Sequence, residues 1–315
     1  MAGQENGGLE RPEISVIIPT FRRPDLVRAA VHSALTQTFG RIEVVVVVDG
    51  GDPETVKVLE GIADARLRIV RPDRRLGNAA ARNAGIDASR APWIALLDDD
   101  DTWYPEKLER QMAAARDADV AHPIVSCRFE AVGSAARYVW PARLPRPDQP
   151  VSEYLFTRTG PTVEGAVQTS TFLVPRAVFD RVRFDPDLGR YVDLDWLLRA
   201  SEIDSVALVF VDGPPLSVYS IEEDRTRISN EADWQQDVAW IMERRDLVTS
   251  RALGGYLLTQ ASIRAERSRD KRAFLPLLWT ALRKGRVSPG ELVFHTANTF
   301  LPAGVRRRLT SRSEA

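Results

Sequence analysis

The sequence predicts an α/β fold on a parallel sheet, followed by a helical C-terminal region, and three observations lead there. Short apolar runs alternate with amphipathic helical stretches from Ile14 to Leu97, at the spacing of βαβ units. Two of those runs end on acidic turns: Val48 leads into Asp49-Gly50-Gly51-Asp52, and Leu97 leads into Asp98-Asp99-Asp100-Asp101. From Glu231 onward the apolar residues recur at helical intervals only.

Taken in order, Met1 to Glu10 is polar and predicts a disordered start. Ile14 to Ile18 reads as the first strand, stopping at Pro19-Thr20, and Pro24 to Thr36 as a helix with Leu26, Ala30, Val31 and Leu35 on one face. Ile42 to Val48 is a valine-rich strand suited to burial on both faces. A helix over Pro53 to Ala63, a strand over Leu67 to Val70 and a helix over Ala79 to Ala88 follow. Trp93 to Leu97 is the fourth strand, and Pro105 to Arg116 a helix with Leu108, Met112 and Ala115 on one face.

Past Asp117 the rhythm loosens. One long strand is expected over Ile124 to Val132, a short helix over Val151 to Arg158 and a strand over Ser170 to Val174. A helix from Asp193 to Ser201 turns Leu194, Leu197 and Leu198 inward, and strands at Val206 to Val211 and Leu216 to Tyr219 close this part. The remaining helices carry Trp234, Val238 and Ile241 on one face, then cover Leu247 to Arg267, Arg272 to Leu282 and Glu291 to Phe300. A boundary near Asn230 separates a core over residues 11–230 from a helical region over 231–315, and the core divides near residue 116.

Composition narrows the function classes. The chain of 315 residues is 44% hydrophobic, enough for one large domain with an appendage. Its formal charge of -1 gives no global field for nucleic acid. Cys127, the single cysteine, excludes an intramolecular disulfide and suits a reducing compartment, where it reads as a small buried hydrophobe. No apolar run reaches membrane-span length and the start lacks a secretory signal, so the expected location is cytoplasmic.

The acidic run carries the chemistry. Four adjacent carboxylates repel one another unless a cation or hydrogen-bond donors offset them. Here they stand where a strand hands over to a helix, at the carboxyl edge at which open α/β sheets bind ligands. Oxygen ligands of this kind suit Mg2+ or Mn2+, which in turn bridge phosphates. The plain alternative is a solvated turn in which Asp101 or Thr102 caps the next helix. Asp49, followed by two glycines, suits a ligand at close approach or a turn bound to its own backbone. Arg82 and Asn83 open a helix after Gly77-Asn78, where an arginine can pair with a diphosphate. No Walker lysine motif and no Gly-x-Gly-x-x-Gly after a strand is present, which counts against phosphate-loop NTPases and dinucleotide-dependent oxidoreductases.

Five segments, in order and spacing, resemble family 2 inverting glycosyltransferases: ISVIIPTF from Ile14, VVVDGG from Val46, GNAAARNAGI from Gly77, LLDDDDTWYPEKL from Leu96 and DLDWLLR from Asp193. The resemblance implies the A-type glycosyltransferase fold, a Rossmann-like nucleotide-sugar half joined to an acceptor half on one mixed sheet. It implies a donor site formed by Pro19, Thr20, Phe21, Asp49, Arg82, Asp98 and Asp99, with Asp100 on the metal and Asp193 as catalytic base. Two positions depart from the family pattern, Gly50 for a second aspartate and Val192 for a Glu or Gln before the base. Asp195 is the rival base two residues on.

The expected activity is therefore metal-dependent, inverting transfer of a sugar from a UDP-, dTDP- or GDP-sugar to a hydroxyl of a saccharide or lipid-linked acceptor, in cell-surface glycan assembly. The chemistry asks for the same parts: a stabilised leaving diphosphate and an acceptor hydroxyl relieved of its proton. A catalytically inactive nucleotide-sugar-binding or scaffold protein on the same fold is the alternative, motivated by Gly50 and Val192. A nucleotidyltransferase ranks lower, because the glycine-rich, lysine-bearing phosphate loop is missing. Between Arg264 and Arg312, twelve basic residues stand against three acids. Interleaved with Phe274, Trp279, Phe294 and Phe300, they suit either peripheral contact with the inner membrane face or a solvated face on their own core.

Overall fold

The computed structural model describes residues 11–133, 137–158, 164–221, 233–302 and 304–305. The expected disordered start, the boundary near Asn230 and the basic residues Arg306, Arg307, Arg308 and Arg312 lie outside the described residues.

The elements in chain order are β1 (Ile14–Thr20), α1 (Pro24–Leu35), β2 (Ile42–Val48), α2 (Pro53–Glu60), β3 (Leu67–Val70), α3 (Asn78–Ala88), β4 (Trp93–Leu96), β5 (Thr102–Trp103), α4 (Lys107–Asp117), β6 (His122–Cys127) and β7 (Phe129–Val132). Next come β8 (Arg137–Trp140), α5 (Val151–Phe156), β9 (Leu173–Pro175), α6 (Arg176–Phe179), α7 (Val192–Ser201), β10 (Val206–Val211) and β11 (Ser217–Ser220). The helices α8 (Trp234–Glu243), α9 (Ser250–Tyr256), α10 (Ser262–Arg267), α11 (Phe274–Lys284) and α12 (Pro289–Phe300) finish the chain. They form two compact units interleaved in sequence: Met1–Val132, Gln168–Leu188 and Ser205–Ser220 in the first, Gly133–Val167, Gly189–Asp204 and Ile221–Ala315 in the second.

The first unit is built on a seven-stranded sheet in the order β10-β6-β9-β4-β1-β2-β3. β1 runs parallel to β2 and β4, β2 to β3, and β10 to β6, while β9 is antiparallel to β4 and β6 and makes the sheet mixed. Every residue of β1 and β2 is buried, as uninterrupted apolar runs covered on both faces require. Pro19 does not end β1: it continues in register with Val47, and the strand reaches Thr20. Helix α3 lies close on this pair, because a Cβ at Gly85 would sit 2.4 Å from Ile17 Cγ2. Cys127 is buried in the core, as expected.

Several boundaries differ from the expectation. The single strand predicted over Ile124 to Val132 is two, interrupted at Arg128: β6 joins the large sheet, and β7 pairs with β11, which also pairs with β5. Hydrophobic periodicity does not reveal that break, since apolar residues continue on both sides. Thr169–Thr171 forms a 3-10 turn where a strand was expected from Ser170, because Thr171 Oγ1 and its amide both bond back to the Gln168 carbonyl. Helix α4 begins at Lys107, two residues after Pro105, and neither Asp101 nor Thr102 caps it. In the second unit, the helix expected from Leu247 begins at Ser250, where Thr249 caps α9 through the Ala252 amide. The buried face of α8 is Asp237, Trp240 and Ile241, not the Trp234, Val238 and Ile241 stripe. In α7, Trp196 joins Leu197 and Leu198 in the core while Leu194 is half-buried.

Candidate functional site

Strand β4 ends at the carboxyl edge of the large sheet, and the four acids follow on a tight turn closed by the Asp101 amide donating to the Asp98 carbonyl at 3.2 Å. The turn sends the four acidic side chains to different partners. Asp98 Oδ1 accepts from Arg82 Nη2 at 2.5 Å. Asp99 accepts from Thr20 Oγ1 at 2.7 Å and from Arg23 Nη1 at 2.9 Å. Arg23 Nη1 also reaches Asp100 Oδ2 at 3.4 Å. Asp101 Oδ2 accepts from Ser170 Oγ at 2.6 Å and from the Gln168 amide.

Burial sets the electrostatics. Asp99 is pushed up to about 6, since burial and the neighbouring Asp100 outweigh Arg23 and Thr20. Burial, with Asp98 and Asp100 close by, holds Asp101 well above the usual carboxylate range. Asp98 and Asp100 keep more of their surface open than Asp99 and Asp101.

The other expected donor residues lie around the same sheet edge. Pro19 and Thr20 end β1 and are buried. Phe21 is half-buried, with the Arg75 guanidinium 4.1 Å above its ring. Asp49 follows β2 and accepts from the Leu76 and Gly77 amides at 2.6 and 2.9 Å, so it binds the loop before α3 and not its own turn. Gly50 holds a φ of +75° beside Phe21, a conformation that favours glycine. Arg82 is buried in the first turns of α3, stacked toward Phe184.

Sequence reasoning missed three residues that shape this edge. Arg23 bridges Asp99 and Asp100, and its only signal was an arginine pair just past a strand end. Gln168 and Ser170 hold Asp101, and Ser170 Oγ also accepts from the Asp98 amide at 2.9 Å. Hydroxyl residues inside an expected apolar strand were the available hint. Asn83, named from the sequence beside Arg82, forms a two-way clamp with the Phe184 backbone, donating at 2.8 Å and accepting at 3.2 Å, a partner that nothing local foretells.

A divalent cation is the group that such a turn implies. The donors are all carboxylate oxygens, and Asp101 Oδ1 is buried with no hydrogen-bond partner among the described residues. No cluster of three or more His, Cys, Asp or Glu converges among those residues. Mg2+ needs one or two carboxylates, with water and phosphate oxygens completing its shell, and Mn2+ shares that preference. The carboxylate oxygens of the turn suit the chemistry of such a cation.

Asp193 belongs to the second unit. Tyr191, in a left-handed conformation at φ 60°, starts α7, so Asp193 sits in the first turn, half-buried, with Oδ1 accepting from the Leu194 amide at 2.9 Å. The rival Asp195 is almost fully buried between Arg199 at 2.7 Å and Arg244 at 2.6 Å. Oδ2 is thereby committed to Arg199 on α7 itself and Oδ1 to Arg244 just past the end of α8. The Tyr191 hydroxyl and Arg190 Nη2, the latter at 3.0 Å, both donate to buried Asp237 on α8. Burial and Asp237 raise the Tyr191 hydroxyl above its ordinary value, so it stays a donor.

A model of the family described as Glycosyl transferase family 2 matches residues 15–182, more than half of the chain. The chain belongs to glycosyltransferase family 2. An uncharacterized glycosyltransferase of Rickettsia prowazekii is 28% identical over 197 residues, covering 62% of this chain and 60% of that protein. The succinoglycan biosynthesis protein ExoO of Rhizobium meliloti is 39% identical over 104 residues, 33% of this chain and 30% of that one. This family 2 chain thus spans 60% or less of the length of these curated relatives. Among solved structures, S. aureus TarS 1–349 in complex with UDP-GlcNAc is similar at a TM-score of 0.59 and 14% identity, over 91% of this chain and 90% of that one. Mannosyltransferase PcManGT from Pyrobaculum calidifontis, in complex with GDP-Man and Mn2+, is similar at 0.52 and 18%, over 96% and 80%. At such identities the likeness shows the fold, and the fold is the A-type glycosyltransferase fold with its mixed sheet and helices following. The glycosyltransferase expectation drawn from the five segments is met at the level of family and fold.

Proposed function

We propose that this chain moves a sugar, with inversion, from a nucleotide-diphosphate sugar to a hydroxyl acceptor in the assembly of a cell-surface polysaccharide. The observation that carries the reading is the acidic turn at the carboxyl edge of a family 2 fold, braced by Arg82, Arg23 and Ser170. ExoO, by its name a succinoglycan biosynthesis protein, supports the polysaccharide context. The bound UDP-GlcNAc of TarS and GDP-Man of PcManGT support a UDP-, dTDP- or GDP-sugar donor.

In this reading residues 11–116 serve the nucleotide sugar, 117–230 the saccharide or lipid-linked acceptor, and 231–315 form a helical region. Pro19, Thr20, Phe21 and Asp49 meet the base and ribose, Arg82 the nucleotide, and Asp98 the ribose side, with Asp99 as the middle residue of the donor motif. Asp100, with Asp101 beside it, would hold Mn2+ or Mg2+, and such a cation supplies positive charge against the leaving diphosphate. Asp193 takes the proton of the acceptor hydroxyl as its oxygen bonds to the anomeric carbon. The bond from that carbon to the diphosphate oxygen breaks, and the electron pair leaves with the nucleoside diphosphate. Attack from the face opposite the leaving group inverts the anomeric centre. Asp195, already fixed between two arginines, is the poorer base.

Thermal stabilisation by a panel of UDP-, GDP- and dTDP-sugars, each with and without Mn2+, tests the reading. One nucleotide should raise the melting temperature in a metal-dependent manner, and Asp100→Ala should remove the metal-dependent part. No shift with any donor would overturn it.

A further inference from the structure

The second unit carries an apolar outer face at its C-terminal end. Of the ten large hydrophobic residues most exposed among the described ones, seven lie between Leu275 and Val305. On α11, Leu275, Trp279 and Leu282 recur at helical spacing and are 70%, 62% and 53% exposed, while Leu277 and Ala281 face the core. On α12 the usual arrangement is inverted. Its inner face is polar, with Glu291, His295 and Asn298 buried, and its outer face carries Val293 and Phe300, 69% and 53% exposed.

The polar inner face is satisfied. Glu291 pairs with Arg251 at 2.7 Å and closes a capping box with Ser288. His295 bonds Ser262 Oγ at 2.9 Å and the Phe274 carbonyl at 3.1 Å, and Asn298 donates to the Ser262 carbonyl at 2.9 Å. Thus α12 is held inward by hydrogen bonds, and Val293 and Phe300 are left on its outer side. The two outer faces join where the Phe300 ring meets Phe274, at 4.9 Å between centroids, at the start of α11.

Charge identifies the occupant. From Arg264 to Val305, seven basic residues are exposed, Arg267, Arg269, Lys271, Arg272, Arg283, Lys284 and Arg286, and none of the three acids is. Arg283 lies over the Trp279 ring at 5.3 Å, joining the cationic rim to the apolar face. A second copy docked face to face would set two cationic rims against each other. A bilayer with anionic headgroups takes both features at once: acyl chains receive the apolar residues, and phosphates receive the rim. At 11 and 12 residues the helices are about 16 and 18 Å long, too short to span a hydrocarbon core of about 30 Å. No helix among the described residues is long and apolar enough to cross a membrane.

We propose that α11 and α12 lie in the plane of an anionic membrane surface, anchored by Leu275, Trp279, Leu282, Val293 and Phe300. The inference is independent of the glycosyl-transfer reading, since its test needs no turnover. The full chain is floated with vesicles of phosphatidylcholine, with and without phosphatidylglycerol. Binding is expected only with the anionic lipid, and the double variant Leu275→Glu, Trp279→Glu should lower the bound fraction at least about tenfold, from the lost apolar transfer alone. Both side chains are exposed, so the melting temperature should stay that of the wild type, and charge reversal at Lys271 and Arg272 should weaken binding in a second, separately folded variant. Absence of anionic-vesicle binding, or binding unchanged in the double variant, would overturn the proposal. So would a wild-type dimer that the double variant dissolves without any vesicle binding, since that outcome assigns the face to a second copy.

Discussion

The Ser170 hydroxyl donates to Asp101 Oδ2 at 2.6 Å while accepting from the Asp98 amide at 2.9 Å. One small side chain therefore closes both ends of the acidic turn, and the Ser170 carbonyl is itself held by Trp103 Nε1 at 2.7 Å. Ser170→Ala leaves the Asp98 amide without that acceptor and Asp101 Oδ2 with the Gln168 donor only. Leaving buried groups unpaired costs about 1–3 kcal/mol. Urea unfolding should show a loss in that range, and donor titration a weakening of about tenfold, as a turn out of place by a fraction of an ångström would give. Wild-type values in both would mean that Arg82, Arg23, Thr20 and Gln168 hold the turn without Ser170.

In the proposed reading the two acids of α7 have different roles, Asp193 as base and Asp195 as an anchor of the helix. Asp193→Asn should fold and bind donor as the wild type does, while turnover falls by about 10²–10⁴-fold, the range of general-base contributions. Asp195→Asn should do the opposite first. It breaks a buried carboxylate from Arg199 and Arg244, and removal of one partner from such a pair costs about 3–5 kcal/mol. Denaturation curves and turnover measured on both variants decide the assignment. Retained turnover in Asp193→Asn would remove it as the base.

The sheet was legible because a strand buried on both faces is a nearly continuous apolar run, as in Ile42–Val48, and the bounds of Ile42–Val48 and of the edge strand Leu67–Val70 match residue for residue. The acidic turn was legible for a related reason: four acids directly after such a run have nowhere apolar to go. What remained hidden depended on partners distant in sequence. Nothing near Asp195 announces Arg244, and nothing near Asp101 announces Gln168 and Ser170. The break at Arg128 was hidden because two strands of different sheets share one apolar run, and the inverted face of α12 because its buried residues are polar.

Lys107 gives a pH dependence. Its ammonium is fully buried 4.0 Å above the Trp103 ring, with Gln111 Oε1 at 2.6 Å, and burial pulls it down to about 8 from an ordinary 10.5. Below pH 8 both folded and unfolded chains carry the proton, and the folded state bears the whole cost of the buried charge. Between pH 8 and 10.5 the unfolded state binds more protons, so stability rises with pH. The stability of the wild type relative to Lys107→Met should therefore be flat below pH 8 and climb by about 3 kcal/mol toward pH 10.5. Cys127, pushed up to about 11 by burial, acts with the opposite sign, so both chains should carry Cys127→Ala. A difference that stays level across that window would show that Lys107 titrates as a solvated lysine.

Gly85 sets helix propensity against packing. Replacing glycine by alanine within a helix is worth about 1 kcal/mol on propensity alone. In α3, however, the added Cβ would lie 2.4 Å from Ile17 Cγ2 and 3.0 Å from Val47 Cγ2, two atoms at the centre of the sheet. Neither is the free end of a long side chain, so β1 and β2 or the helix itself must move, and overpacking of that kind costs about 1–3 kcal/mol. Packing should win, and Gly85→Ala should lower the unfolding free energy by up to about 2 kcal/mol after the propensity gain is subtracted. Because Arg82 is one turn earlier on the same helix, the shift should also stretch its 2.5 Å contact with Asp98 and weaken donor binding in the same variant. A Gly85→Ala chain more stable than the wild type, by urea unfolding, would mean that α3 rides loosely on the sheet and that Arg82 is aimed by Asp98 and Phe184 alone.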